Sequence, residues 1–263
     1  MTPAHGDSIA DVQTLFAGAS GRRLAALINR FADDPRAGVR AIVATARARR
    51  EAERKEHTRT ARLYALEAEF HARGLELVAG LDEVGRGALA GPVTAAAVIL
   101  AGEPRIEGLD DSKRLTPPRR EELAARIHAD AIAVCVAHVS AGDVDALGMT
   151  AALRDAMRLA IDGLGVVPDH LLLDGLPLHV AENETAVVKG DSKVAAIAAA
   201  SIVAKVTRDA LMRELADQHP GYAFDENKGY GTSEHLQAIA RLGLTPVHRR
   251  SFTAGGGTLS LFA

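Results

Sequence analysis

The sequence predicts an α/β fold in which a mixed sheet is flanked by helices, preceded by a separate helical extension. Two observations predict the sheet. Strand-like apolar runs follow one another in the middle of the chain without a long helix between the first two, which is typical of antiparallel strands. Helical and strand-like patterns then alternate, which is typical of a layered α/β architecture. A third observation, the basic and helical character of residues 1–74, predicts the extension.

The predicted extension carries apolar residues at helical spacing and an excess of positive charge. Leu24, Leu27, Ile28 and Phe31 indicate one helix, and Pro35 separates it from a longer one marked by Val39, Ile42, Val43, Ala46, Leu63, Leu66 and Phe70. Residues 21–74 contain 13 Lys and Arg against 7 Asp and Glu. The basic run is either a solvated helix face or an auxiliary contact to nucleic acid.

Beyond residue 74, the apolar pattern predicts the elements of the main domain, residues 75–252. The predicted strands are Leu77–Leu81, Val93–Leu100, Ile132–Val139 and Leu171–Leu173. The predicted helices are Pro117–Ile127, with Thr116 as its N-cap, Met149–Leu164 and the alanine-rich Ser192–Leu215. Residues 253–263 contain three successive glycines and are predicted to form a flexible tail.

Composition and charge bound the class of protein. Of the 263 residues, 48% are apolar and 25% charged, so the chain can bury a sizeable core. The net charge is −3, so affinity for nucleic acid must come from local basic patches. The one cysteine, Cys135, lies in an apolar run and is interpreted as a core residue rather than a reactive thiol. The chain shows neither a signal pattern nor a membrane-spanning stretch, so we expect a cytoplasmic protein, with a monomer as the default.

Four acidic residues stand at the ends of apolar runs. Asp82 and Glu83 follow the first predicted strand, Asp174 closes the strand Leu171–Leu173, and Asp191 precedes the long helix. Taken singly, Asp191 is typical of an N-cap and Asp174 of a turn. Clustered carboxylates, however, repel one another unless a cation neutralises them, and Mg²⁺ or Mn²⁺ prefers oxygen ligands of this kind. No His/Cys pattern with zinc spacing is visible, which disfavours zinc.

Basic, glycine-rich and aromatic segments complement these acids. The loop Gly85-Arg86-Gly87 can bring backbone amides and a guanidinium against a phosphodiester. Lys113 and Lys193 each follow an Asp-Ser pair, and Ser112 is the serine of the first pair. Both lysines can meet a phosphate. Tyr230 lies between glycines and is either structural or stacked on a base or sugar. Acidic residues that can bind a metal, together with basic residues that can bind a phosphate, indicate metal-assisted phosphoryl chemistry on a nucleic acid.

These segments resemble the ordered motifs of bacterial ribonuclease HII, the type 2 ribonuclease H family. The resemblance covers about residues 75–252, and six motifs in the family's order make it specific. The motifs are Asp82–Gly87 with Ala90–Val93, Asp111–Lys113, Leu173–Gly175, Lys189–Lys193, Gly229–Thr232 and His248–Phe252.

The resemblance implies a ribonuclease H-like fold and a four-carboxylate site formed by Asp82, Glu83, Asp174 and Asp191. It implies two divalent cations, Mg²⁺ or Mn²⁺, with Asp82 bridging them. It also implies hydrolysis of RNA in RNA–DNA hybrids and incision 5′ of single ribonucleotides in duplex DNA, leaving 3′-hydroxyl and 5′-phosphate ends. Such an enzyme acts in ribonucleotide excision repair and RNA primer removal.

The same resemblance assigns substrate roles to the loops. Gly85, Arg86 and Gly87 would recognise the ribonucleotide 2′-hydroxyl, the group that distinguishes RNA from DNA. Tyr230 would stack on the following deoxyribose. Ser112, Lys113 and Lys193 complete the predicted substrate-binding set.

The C-terminal tail has its own resemblance. Residues 258–262 are similar to the short peptide by which bacterial proteins dock on the replication sliding clamp, with Leu259, Leu261 and Phe262 as the apolar contacts. Thr258 stands where the peptide has glutamine. The alternative is a disordered or self-packing tail.

Two other functions compete with this prediction. A different nuclease on the same metal scaffold would cut all-DNA substrates and be indifferent to a 2′-hydroxyl. A non-catalytic module that binds hybrids would not need four acids.

Overall fold

The computed structural model describes residues 7–253. The described chain divides into two compact units between Arg59 and Thr60. No helix within residues 7–253 is long and apolar enough to cross a membrane. Thr253, the first residue of the predicted tail, is helical, and the rest of that tail, with Leu259, Leu261 and Phe262, lies outside the described residues. The domain boundary predicted after residue 74 remains a prediction.

The first unit is helical, as predicted. It contains α1 (Ile9–Ala17), α2 (Gly21–Arg30) and most of α3 (Ala37–Leu63). Ser8 and Asp11 form a reciprocal capping box at the start of α1. The apolar faces meet in a small core that contains Val12, Phe16, Leu24, Leu27, Ile28, Phe31, Val39 and Val43. The helical spacing of apolar residues in this part of the sequence therefore marked the core correctly.

The second unit begins within the last turn of α3 and contains the remaining elements. Its strands are β1 (Val78–Val84), β2 (Val93–Ile99), β3 (Ala133–Val139), β4 (His170–Asp174) and β5 (Glu184–Val187). Its helices are α4 (Ala65–His71), α5 (Pro117–Asp130), α6 (Ala141–Leu147), α7 (Met149–Asp162), α8 (Ala195–Gln218), α9 (Phe224–Asn227), α10 (Ser233–Leu242) and α11 (Arg250–Thr253). A short 3-10 helix, Gly190–Ser192, precedes α8.

The five strands form one mixed sheet in the order β3-β2-β1-β4-β5. The pairs β1–β2 and β2–β3 are antiparallel, whereas β1–β4 and β4–β5 are parallel. The antiparallel start and the mixed sheet were both predicted. The neighbouring strands β1 and β4 run side by side in the same direction, so their carboxyl ends lie next to each other near the centre of the sheet.

Helices cover both faces of this sheet. Because successive residues of a strand point to opposite sides, each strand packs apolar side chains against helices on either face. Leu81, Leu171 and Leu173 belong to the core cluster that contains α7 residues. Val78 and Leu172 face the other side, where they pack against residues at the start of α8. Nearly every residue of the first half of α8 is buried, which explains why its alanine-rich sequence lacks a polar face.

Several elements differ from the sequence prediction. The long helix starts at Ala195 rather than Ser192, because Gly190–Ser192 form a 3-10 turn first. The helix predicted to continue to Phe70 is interrupted at Tyr64. Strand β5 and helices α6 and α10 were not predicted, because short elements carry little periodicity.

Glu67 on α4 is an acidic residue within the core. Its side chain is buried, and its Oε1 accepts a hydrogen bond from the Ala196 amide in the first turn of α8 at 2.8 Å. Its Oε2 is buried without a hydrogen-bond partner among the described residues. Burial raises the pKa of Glu67 to about 7, although backbone amides oppose the shift. Glu67 therefore joins α4 to the helix that follows Asp191.

This raised pKa predicts that Glu67 makes the protein less stable as the pH rises. Between its ordinary value of 4.5 and about 7, the folded state holds a proton that the unfolded state has released, so the free energy of unfolding falls by about 3 kcal/mol across that interval. Glu67→Gln should remove that fall, since the neutral amide still accepts from Ala196. Urea unfolding at pH 5 and pH 8 checks it, with the exposed Glu69→Gln as control. An unchanged pH dependence in Glu67→Gln would contradict the prediction.

Candidate active site

Two of the predicted acids are brought together by the parallel pairing of β1 and β4. Leu81 is the register partner of Leu173, and the next residue of each strand is an acid, Asp82 and Asp174. Both acids occupy the alternate strand positions whose side chains point to the face of the sheet that α8 covers. Asp174 Oδ1 accepts from the Gly190 amide at 2.6 Å, which brings the turn containing Asp191 to the same sheet edge. Thus the fold brings Asp82, Asp174 and Asp191 to the same end of the two central strands, and their catalytic role stays a prediction.

Asp82 is held from α8 by one serine hydroxyl, which a second serine contacts in turn. The side chain of Asp82 is buried and hydrogen-bonded to Ser201 of α8. The Oγ atoms of Ser201 and Ser112 lie 2.9 Å apart. When Asp82 is ionised, as a bound cation would require, its carboxylate only accepts, so Ser201 donates to Asp82 and Ser112 donates to Ser201. The Glu83 amide also donates to Asp82 Oδ1 at 2.7 Å, so the carboxylate position is fixed from both its strand and the helix.

Burial and neighbouring acids raise the pKa of three of the predicted acids. Burial, the nearby charge of Glu83 and that of Asp174 raise the pKa of Asp82 well above its usual range. Burial raises the pKa of Glu83, with Arg86 opposing the shift and Asp174 adding to it. Burial, then Asp174 and Asp111, raise the pKa of Asp191. The charge of Asp174 therefore acts on each of the other three predicted acids.

This donor set fits a divalent cation by its chemistry. Carboxylate oxygens are the ligands that Mg²⁺ and Mn²⁺ prefer, and a cation would offset the repulsion that raises these pKa values. Across residues 7–253, no three His, Cys, Asp or Glu side chains form a group that could hold a metal ion as they stand. The acids are gathered at one sheet edge without forming a finished ligand set.

The Gly85–Gly87 loop leaves β1 directly beside the acids. Gly85 has a φ of +85°, and a Cβ there would lie 2.2 Å from Nε of Arg208, so this position requires glycine. Arg86 extends outward with 65% of its side chain exposed and its Nη1 3.8 Å from Glu83 Oε1. The guanidinium is therefore available to a ligand next to the carboxylates.

Tyr230 lies on a second loop that is hydrogen-bonded to the first segment. The amides of Leu89 and Ala90 both donate to the Gly229 carbonyl, at 2.8 and 3.2 Å. A Cβ on Gly229 would lie 2.3 Å from the Ala90 carbonyl oxygen, so the two backbones meet closely. The side chain of Tyr230 is 36% exposed. The structure thus presents its ring at the surface beside the segment that carries Gly85–Gly87.

Two fully buried arginines connect these loops. Arg208 of α8 donates to the carbonyls of Pro92, Ala90 and Lys228 at 2.9–3.1 Å, and its guanidinium lies 5.6 Å from the Tyr230 ring centre. Arg249 donates to the carbonyls of Gly91 and Arg86, both at 3.0 Å. Burial lowers the pKa of both side chains, that of Arg249 to about 10, so both remain charged at neutral pH.

The predicted lysines and serine lie around the acids in different ways. Lys113 is exposed, and its charge acts on Glu83 and Asp191. Lys193 is exposed, and its Nζ donates to the Val188 carbonyl at 2.7 Å. Ser112 is buried, with its hydroxyl on Ser201. The two lysines are thus placed to meet a ligand, whereas Ser112 supports the site from within.

Comparison with known proteins decides the family. Residues 79–254 match the family model described as Ribonuclease HII, and residues 8–71 match that of the Ribonuclease HII N-terminal domain. The chain belongs to the ribonuclease HII family. Ribonuclease HII from Geobacillus thermodenitrificans is 48% identical over 219 residues, covering 83% of this chain and 85% of that protein. The chain is therefore a hydrolase of the ribonuclease H class that acts on RNA in RNA–DNA hybrids.

Solved structures of this enzyme class share the fold. The RNase HII of Archaeoglobus fulgidus, in complex with PCNA, is 26% identical with a TM-score of 0.56, covering 66% of this chain and 93% of that one. Bst-RNase HIII, in complex with Mn²⁺, is 17% identical with a TM-score of 0.51, covering 73% of this chain and 71% of that one. The predicted ribonuclease H-like fold is confirmed.

The structure adds residues that the sequence prediction missed. Ser201 and Arg208 lie seven residues apart on the buried face of α8, together with Ala204 and Met212. Two polar side chains on an otherwise apolar stripe at helical spacing were the available signal. Arg249 was noted only within a basic cluster, and its complete burial depends on contacts with residues about 160 positions earlier, which a local pattern does not reveal.

Proposed function

We propose that this chain is a metal-dependent endonuclease that cuts on the 5′ side of a ribonucleotide at an RNA-to-DNA junction, including a single ribonucleotide in duplex DNA. The observation that supports it most is the joining of two neighbouring features. Asp82, near the end of β1, and Asp174, the last residue of β4, lie on adjacent parallel strands, and the Gly85–Gly87 loop that follows β1 is hydrogen-bonded through its own segment to the Tyr230 loop. The proposed metal ligands and the proposed substrate-selecting loops are thus connected through β1 and the segment that follows it.

The four carboxylates are the proposed metal ligands. Glu83 and Asp174 both act electrostatically on Asp82, and Asp174 acts on Asp191, so Asp82, Asp174 and Asp191 would hold the divalent cations, with Glu83 assisting. Two divalent cations held there would activate water and stabilise the leaving 3′ oxygen, which gives 3′-hydroxyl and 5′-phosphate ends. The Mn²⁺ complex of Bst-RNase HIII supports Mg²⁺ or Mn²⁺ as the cofactor.

The two loops are the proposed selectors. Backbone groups of Gly85 and Gly87 can approach the ribose closely, because no side chain stands in the way, and Arg86 is exposed beside them. The exposed ring of Tyr230 would pack on the next deoxyribose, where a 2′-hydroxyl would fit poorly. Lys113 and Lys193 would neutralise neighbouring phosphates. This activity would serve ribonucleotide excision repair and RNA primer removal.

A sliding-clamp partner is the second proposed ligand of the chain. The RNase HII of Archaeoglobus fulgidus forms a complex with PCNA, which supports a clamp contact in this family. In this chain, Leu259, Leu261 and Phe262 would make it. Deleting residues 259–262 should abolish capture by the clamp in a pull-down, and failure of the intact chain to bind ends the proposal.

One incision assay separates the proposed function from its two rivals. A DNA duplex with one ribonucleotide should be nicked on the 5′ side of that ribonucleotide in Mg²⁺ or Mn²⁺ and left intact in chelator. The matched all-DNA duplex should stay intact. Equal cutting of both duplexes would support a general nuclease, and binding without cutting would support a non-catalytic module. Either result would contradict the proposed function.

Tyr230→Ala should impair incision more than binding. Loss of the ring removes packing on the deoxyribose, and stacking of this kind is worth about 1–3 kcal/mol per contact, so single-ribonucleotide incision should fall roughly tenfold or more. Tyr230→Phe keeps the ring and should keep most of the rate. Single-turnover rates and Kd for both variants provide the measurement. A wild-type rate in Tyr230→Ala would remove this residue from the site.

A further inference from the structure

Two buried histidines behind the Tyr230 loop have no role in the function proposed so far. His235 is in the first turn of α10, and His248 lies just before α11. Both are almost completely buried, with 0% and 2% of their surface exposed. Their Nε2 atoms lie 3.1 Å apart. Two imidazoles placed nitrogen to nitrogen require a defined arrangement of protons.

The neighbours of the two rings determine that arrangement. The Thr245 amide can only donate, and it lies 2.9 Å from His248 Nδ1, so the proton of His248 is on Nε2. That proton points at His235 Nε2, which must then accept, so His235 carries its proton on Nδ1. His235 Nδ1 lies 2.9 Å from the Tyr230 carbonyl oxygen, which can only accept. With both rings neutral, every donor in this chain of hydrogen bonds meets an acceptor.

The surroundings keep both rings neutral and in place. Burial lowers the pKa of both histidines, that of His248 to about 4. The rings pack against Phe224 at centroid distances of 5.3 and 5.5 Å. The Thr232 hydroxyl, the N-cap of α10, accepts from the His235 amide at 3.2 Å, so the loop is fixed at both the backbone and the side chain of His235.

The chain of hydrogen bonds ends on the same segment that anchors the other loop. Thr245 and His248 hold the Tyr230 carbonyl through His235, and the next residue, Arg249, holds the carbonyls of Arg86 and Gly91. The Arg249 amide also donates to the Leu89 carbonyl at 2.8 Å. One short stretch, residues 245–249, is therefore hydrogen-bonded directly to the segment of the Gly85–Gly87 loop and, through His235, to the Tyr230 loop.

We propose that His235 and His248 are positioning residues that set the place of Tyr230 relative to the Gly85–Gly87 loop and so determine how strictly the enzyme selects a junction. This inference rests on the proposed function. Cutting itself depends on the acids, which neither histidine contacts among the described residues. Loss of the histidine pair therefore impairs selection of a single ribonucleotide more than cleavage of a uniform RNA–DNA hybrid.

Three substitutions at one position test it. An asparagine amide nitrogen can stand where His235 Nδ1 stands and donate to the Tyr230 carbonyl, whereas a glutamine amide reaches the place of Nε2. His235→Leu makes neither bond. We expect Leu and Gln to lower kcat/KM for a single-ribonucleotide duplex about tenfold, the effect of losing one hydrogen bond of about 1.4 kcal/mol. Uniform hybrid should be cut within about threefold of wild type, and Asn should restore most of the loss.

His170→Gln is the matched control. His170 is a partly buried histidine that also makes a side-chain hydrogen bond, to Thr185 at 2.8 Å. It is the first residue of β4, at the opposite end of that strand from Asp174. It should not change the ratio of the two activities. Thermal unfolding of each variant identifies any that fail to fold.

The outcomes separate the inference from the function on which it rests. If the wild type nicks the single-ribonucleotide duplex but Leu, Gln and Asn at position 235 all keep its activity ratio, the inference is wrong and the proposed function stands. Equal losses in Asn and Gln would also overturn it, because a merely structural role would not depend on which nitrogen is replaced. If the wild type does not nick that duplex, both fail.

Discussion

Asp82→Asn abolishes cleavage and leaves the protein at least as stable as the wild type. Glu83 and Asp174 act on this carboxylate electrostatically, and its loss removes one of the proposed metal ligands. Removing one group that stabilises charge in a transition state lowers rates by about a hundred- to a thousandfold, and loss of a metal ligand should cost at least as much. Repulsion and burial of Asp82 oppose folding at neutral pH, so the neutral amide relieves them.

The measurement pairs single-turnover cleavage of an RNA–DNA hybrid with urea unfolding in chelator. Asp162→Asn, an exposed acid at the end of α7, is the matched control and should change neither quantity. Binding of hybrid should persist in Asp82→Asn, because the selecting loops are untouched. Cleavage within about tenfold of wild type would contradict the assignment of Asp82, and lost activity together with lost stability would indicate a structural residue instead.

Gly80→Ala has the largest expected effect on stability. A Cβ at Gly80 would lie 2.1 Å from the backbone carbon of Ala196 and 2.4 Å from the Ile197 amide nitrogen, at the start of α8. Backbone atoms cannot rotate away as a side chain can, so the strand and the helix must separate. Forcing extra volume into a packed core costs typically about 1–3 kcal/mol, and contact with backbone places this site at the upper end or above.

This change should also reduce activity, because Ser201 on α8 holds Asp82 on β1 across the same contact. Gly142→Ala is the control, since its nearest neighbour would be Ser140 Oγ at 3.8 Å. It lies in α6, where alanine should stabilise by about 0.5–1 kcal/mol. Urea midpoints for the two variants decide it: equal stability of Gly80→Ala and wild type would show that the sheet and α8 do not approach as described.

The acids could be predicted from sequence because each follows a run of apolar residues. The apolar run Leu171–Leu173 leads to Asp174, which is the last residue of β4, so this acid lies at the carboxyl end of its strand as expected. Asp82 and Glu83 were expected after the first strand, but β1 continues through both of them to Val84, because strand pairing does not stop at the first polar residue. The parallel register that makes Asp82 and Asp174 neighbours was not readable, since it depends on which strands pair. Ribonuclease HII motifs supplied that grouping, and the structure supplied its physical reason.

The residues that hold the loops could not be predicted in the same way. Arg208 and Arg249 are basic residues that a composition argument places on the surface, yet both are completely buried. Four of their five hydrogen-bond partners named above are backbone carbonyls about 115–160 residues earlier in the chain, and the fifth is the Lys228 carbonyl. The His235–His248 pair is closer in sequence, but its meaning depends on a 3.1 Å contact that no spacing rule indicates.

The proposed function can be tested on a duplex in which one strand carries several consecutive ribonucleotides followed by DNA, by mapping the position of the cut. If the acids cut where the Gly85–Gly87 loop and Tyr230 together recognise the last ribonucleotide before DNA, one cut should dominate in Mg²⁺ or Mn²⁺. We expect it at the phosphate on the 5′ side of that last ribonucleotide. Even cutting along the ribonucleotides, or a dominant cut within the DNA, would contradict the proposed function.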